Sequence, residues 1–129
     1  MSRLKDLMIG TVLGAVSTAA IVAFAAEKTM DPVQLSPQYY TVRIDNPRVR
    51  VYEYRLQPGQ KEVRHSHLPG VVFTLSDATL KMTLPDGTTG THTSVAGDVA
   101  WRENVTHAIE NIGSGEAHAY AIELKGCTS

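Results

Sequence analysis

Gly59-Gln60-Lys61-Glu62-Val63-Arg64-His65-Ser66-His67 is the stretch on which the reading of this chain turns. Turn-forming residues bound it, Gln57-Pro58-Gly59 before and Leu68-Pro69-Gly70 after, so the residues between read as a strand. In a strand, side chains two apart share a face, which sends His65 and His67 into the same space and Arg64 and Ser66 the other way. Two neutral imidazoles side by side in an interior need something to take up their lone pairs, and a metal ion does so. By itself the His-x-His pair reads equally well as two solvated histidines ahead of a turn. A third imidazole from a distant strand, His107, would complete a set of three.

Outward from this stretch, alternation dominates. Tyr52, Tyr54 and Leu56 share one parity and Val51, Glu53 and Arg55 the other; Leu80, Met82 and Leu84 alternate with Lys81 and Thr83. Val71 to Leu75 is a continuous apolar run of strand length, and His118, Tyr120, Ile122 and Leu124 oppose Ala119, Ala121 and Glu123. Pro85-Asp86-Gly87, Ala96-Gly97-Asp98 and Gly113-Ser114-Gly115 supply further turns. No stretch keeps helical spacing over three turns. The pattern predicts an all-β sandwich or barrel beginning at residue 41 and running to 129, with no internal repeat.

Residues 1–25 read differently. Arg3 and Lys5 open the chain, the 18 residues from Leu7 to Phe24 carry no charge, and Ala23-Phe24-Ala25 is the small-x-small pattern at which signal peptidase cuts. This is the layout of a secretory signal peptide, and it places the protein in the periplasm or outside the cell. The competing reading is an uncleaved anchor, which would be the chain's one contact with a membrane; the run is at the lower limit for spanning, and Gly10, Gly14 and Ser17 dilute it. Residues 26–40, with Pro32 and Pro37, read as an extended arm or linker.

The chain has 129 residues, 12 Lys or Arg against 13 Asp or Glu, and 43 % apolar residues. That length and balance fit one globular domain and exclude a strongly basic nucleic-acid binder. Cys127, the single cysteine, cannot form an internal disulfide. A domain of about a hundred residues without such a staple buries only about 60–65 % of its unfolded surface, which favours a closed barrel, a bound metal or a homodimer.

Gly59 followed after five residues by His65-Ser66-His67, and Gly97 followed by His107-Ala108-Ile109-Glu110-Asn111, resemble the two bipartite motifs of the cupin superfamily. The likeness runs from about Val49 to Leu124. It implies a single cupin β-barrel, or jelly roll, in which His65, His67 and His107 match the family's metal-binding histidines. Two departures matter. The usual glutamate ligand would fall four or five residues after His67, where Val71 and Val72 stand, and Glu103-Asn104-Val105 replaces the usual Pro-x-Gly before the second-motif histidine. The resemblance is therefore to the three-histidine cupins, a subset that includes thiol dioxygenases.

Three neutral ligands would leave the full charge of a divalent ion (Fe, Zn, Mn, Ni or Cu) in the site, drawing a small anionic or chelating molecule to its open positions. Two functions are expected from this, a metal-dependent oxygenase or a non-catalytic exported small-molecule- or sugar-binding module. Glu103 is weighed as a substitute carboxylate and His118 as an added ligand. Asn111 reads as a supporting or turn-bonding residue and His92 as a surface residue. Val71, Phe73, Met82 and Trp101 are expected to wall the cavity.

Overall fold

The computed structural model describes residues 29–126; the leader expected at 1–25 and Cys127 fall outside them. Nine strands follow a short N-terminal arm: β1 (Tyr40–Asp45), β2 (Val49–Leu56), β3 (Lys61–His67), β4 (Gly70–Thr74), β5 (Ala78–Thr83), β6 (Thr89–Ser94), β7 (Val99–Arg102), β8 (Val105–Asn111) and β9 (Ala117–Leu124). They make two antiparallel sheets, one in the order β1-β2-β9-β4-β7 and one in the order β3-β8-β5-β6. A cavity of about 180 Å³ is lined from both. Among the described residues no helix is long and apolar enough to cross a membrane.

The arm is folded rather than extended. Asp31 caps a four-residue helix, α1 (Pro32–Leu35), by accepting from the Val33 amide at 3.0 Å, and Pro32 sits in the first turn, where its missing N–H is not needed. A 3-10 turn, Pro37–Tyr39, then delivers the chain to β1. Ahead of α1, the Met30 carbonyl accepts from the Ser66 amide at 2.8 Å, so the arm bonds to β3, the edge strand of the four-stranded sheet.

Burial follows two clusters. Leu56, Ala78, Ile109 and Ala117 pack with Leu80 and Met82. Tyr40, Tyr52 and Ala121 pack with Val33 and Tyr39 of the arm and with Val72. Across the inner face of the larger sheet, the register sets Arg50 opposite Glu123, Glu123 opposite Gly70, and Gly70 opposite Arg102. Gly70 is required there. A Cβ on it would stand 1.8 Å from the Ile122 carbonyl oxygen, and without one Arg102 reaches across to Glu123 at 3.2 Å.

The inward faces of β4 and β7 reverse the expected cavity wall, and β9 adds small residues to it. Val72, Thr74, Ala117, Ala119, Ala121 and Arg102 line the cavity together with Met82. Phe73 and Trp101 are 39 % and 53 % exposed and, with Val71, take the opposite parity. Space for a ligand needs small side chains inside, so the bulky residues of these strands face out.

Candidate metal centre

The three histidines meet. His65 lies directly opposite His107 across the β3–β8 pair, and His67 follows two positions along β3. Their ring centroids stand 4.6 to 5.3 Å apart, all three residues are buried, and one nitrogen from each lies within 4.8 Å of the others. A bulge between Glu62 and His65 interrupts the ladder. The Val63 carbonyl within it accepts from His65 Nδ1 at 2.7 Å.

That bond decides the chemistry of the ring. A carbonyl can only accept, so Nδ1 carries the hydrogen and Nε2 keeps its lone pair. His67 is held alike: its Nδ1 lies 2.9 Å from Glu123 Oε1, a carboxylate oxygen that can only accept, and the Tyr52 hydroxyl, 3.0 Å from the same nitrogen, donates to that oxygen at 3.2 Å. Both free Nε2 atoms then face each other at 2.9 Å. Two lone pairs at that distance repel, and a shared cation turns the contact into two bonds. Nitrogens held at about 2.1 Å from one ion and at right angles would stand about 3.0 Å apart, so the pair fits a metal ion.

Protonation states agree. Burial first, and His67 second, push His65 down to about 4; burial and then His65 push His107 down to about 3. Burial also lowers His67, against the raising effect of its bond to Glu123. All three imidazoles are neutral at neutral pH, the form that ligates. His107 Nδ1 is buried with no hydrogen-bond partner among the described residues.

Behind these rings stand charges that the sequence reading missed. Burial alone would raise Glu123, but bonds from His67 and Arg50 outweigh it and hold the carboxyl below its ordinary range. Arg50 gives Nε and Nη2 to Glu123 Oε2 at 3.2 and 2.7 Å and Nη1 to both oxygens of Asp31 at 2.9 Å. Arg102 Nη2 touches Tyr52 and Glu123, and its Nε is buried without a partner among the described residues. Glu62 lies 3.4 Å from His65 Nδ1 and accepts from the hydroxyls of Tyr40 at 2.5 Å and Tyr54 at 3.1 Å. Burial pushes it up to about 7, partly offset by those two donors.

Strict alternation puts Glu62 on the face of Arg64 and Ser66; the bulge turns it inward. Glu123 did carry a signal, as the one acid on the parity of Ala119 and Ala121.

The weighed alternatives lie elsewhere. Glu103 is exposed and accepts from the Trp101 indole at 2.7 Å. His118 is half-buried and bonds Glu53 at 2.7 Å, outside the group of three histidines. Asn111 fastens a turn through the carbonyls of Leu56 and Gly115 and the Gly113 amide. His92 is an exposed residue of β6 that lines the cavity without joining the three histidines.

No family model matches the chain. It is 36 % identical over 88 residues to the β-alanine degradation protein BauB of Pseudomonas aeruginosa, covering 66 % of this chain and 90 % of that protein. A crystal structure of a cupin domain from Bordetella pertussis matches with 34 % identity and a TM-score of 0.62, over 67 % of this chain and 92 % of that one. An RmlC-like cupin from Methanocaldococcus jannaschii, with a double-stranded β-helix fold, matches over 67 % of this chain and 80 % of its own at 14 % identity and a TM-score of 0.51, a likeness of fold. Two facing antiparallel sheets around a histidine-lined cavity define a small single-domain β-barrel of the jelly-roll kind. The chain belongs to the cupin superfamily.

Proposed function

We propose that this is an exported cupin that holds one divalent metal ion on His65, His67 and His107 and presents it to a small anionic or chelating substrate. The observation that carries the reading is the pair of Nε2 atoms facing each other at 2.9 Å, each ring with its Nδ1 engaged by an oxygen acceptor behind it. The three protein ligands are neutral, so a bound ion keeps its charge for the ligand it receives. A cavity of about 180 Å³ has room for roughly six water-sized groups at ~30 Å³ each, which suits a small molecule. The relative named for β-alanine degradation supports that size and a carboxylate to meet the ion, β-alanine being a three-carbon amino acid.

When bound, a redox-active ion would supply oxygenase chemistry and a redox-inert one Lewis-acid chemistry. The chain's own part is to orient the histidines through Val63 and Glu123, to exclude water with Leu80, Met82 and Ile109, and to keep the Glu62 carboxyl buried beside His65. Elemental analysis of protein purified from the native compartment tests the reading. One ion per chain, lost in the His65→Ala/His67→Ala double variant, is expected; an ion content that the variant leaves unchanged would overturn it. Oxygen uptake or product formation by loaded protein would then separate an enzyme from a binding module. Export is checked by N-terminal sequencing of the mature protein, which should begin at Ala26.

A further inference from the structure

The arm ahead of the barrel is tied to the candidate metal site at two points. Ser66, between the two histidines of β3, would leave its amide unpaired at the sheet edge, and Met30 accepts it at 2.8 Å. One residue on, Asp31 receives Arg50 Nη1 at 2.9 Å on both oxygens while its Oδ1 also caps α1. The opposite side of the same guanidinium grips Glu123, whose other oxygen holds His67 Nδ1 at 2.9 Å. A continuous chain of charge-assisted bonds thus runs Asp31–Arg50–Glu123–His67. Arg50 is only 13 % exposed and Glu123 is fully buried, so solvent screens these contacts weakly.

We infer that Asp31 is a positioning residue for His67, and that docking of residues 29–36 against the barrel and binding of the ion are thermodynamically coupled. The inference rests on the metal-site reading above and adds a part of the chain outside the barrel to it. With Asp31 in place, Arg50 is fixed at both ends, Glu123 cannot turn, and the His67 ring keeps Nε2 aimed at His65. Without it, Arg50 can swing toward solvent and Glu123 loses the brace on Oε2. Coupling is reciprocal: whatever the docked arm adds to ion affinity, the ion returns to the arm.

Asp31→Asn is the discriminating variant, because asparagine caps a helix as well as aspartate does and removes only the charge facing Arg50. Ion affinity is read by competition with a chromogenic chelator, and arm docking by hydrogen exchange of the Ser66 amide, with Zn(II) as the probe. Loss of a partner behind a ligating histidine typically weakens affinity 10–100-fold, and for this more distant link about tenfold is expected. In the wild type, Zn(II) should slow Ser66 exchange by a similar factor, and in Asp31→Asn by less than twofold. Arg50→Lys, which keeps the charge but loses the two-sided fork, should weaken affinity likewise and serves if the first variant does not fold. Unchanged affinity in a variant that still binds Zn(II) would overturn the coupling and leave the metal site standing. Failure of the wild type to bind any ion would overturn both.

Discussion

Single residues decide whether this cavity holds an ion. Glu123 is the hinge of the buried network, meeting His67, Tyr52, Arg50 and Arg102 with two oxygens. Glu123→Gln should weaken ion affinity about 10–100-fold in chelator competition and lower stability by about 1–3 kcal/mol, since Arg50 would keep Asp31 but lose its charged acceptor at Oε2. Affinity within twofold of wild type would contradict the role assigned to it. A second prediction concerns pH. In the metal-free protein His65 and His107 take up protons near 4 and 3, against 6.5 when unfolded, so acidification below about 6.5 favours the unfolded state. Glu62 acts oppositely. Its folded value of about 7 exceeds 4.5, so the folded state gains stability as pH falls through 7. Glu62→Gln removes that gain, and its metal-free Tm should therefore drop more steeply than that of wild type between pH 7 and 5. Parallel melting curves would show that Glu62 does not titrate in this range.

At the scale of the strand, what could be read in advance depended on regular alternation. His65 and His67 were legible as a pair because His-x-His on a strand sends both rings to one face, and His107 joined them through the glycine-to-histidine spacing that resembles the cupin motifs. Glu62 was not, because a bulge reverses parity and leaves no unmistakable mark in composition. The reversed faces of β4 and β7 have another cause. Reading large apolar side chains as inward is sound for a filled core, but a hollow needs the smaller set inside, and Ala117, Ala119 and Ala121 supply it. Glycine at 70 was read as part of a turn; it is instead the opening residue of β4, squeezed against Ile122. Gly70→Ala should accordingly force β4 from β9 and destabilise by about 3 kcal/mol, read as a fall in Tm of roughly 12 °C or more for a domain of this size. A Tm within a few degrees of wild type would mean the strands can separate at little cost.

Taken as a whole molecule, the protein gathers its three buried histidines, with Glu62 and Glu123, around the cavity, and has two modest apolar clusters, one joining the sheets and one packing the arm on the larger sheet. A small barrel without an internal disulfide gains from a bound ion by an amount that rises with the logarithm of the free ion concentration above the Kd. At a free ion concentration a hundred times the Kd, the gain is about 2.7 kcal/mol, or roughly 10–20 °C in Tm. Addition of chelator should reverse it, and an ion-independent Tm would place the metal outside the folded structure. The arm belongs to this scale too. It lies before the first strand, yet Met30 and Asp31 bond to the strand and the network that carry His67.

X-ray absorption spectroscopy of the ion-loaded protein, compared with His107→Ala, addresses the central claim most directly. The account predicts three imidazole nitrogens at about 2.0–2.2 Å around one ion per chain, with one of the three missing in the variant. An ion surrounded by oxygen alone, or a first shell identical in the two proteins, would contradict it.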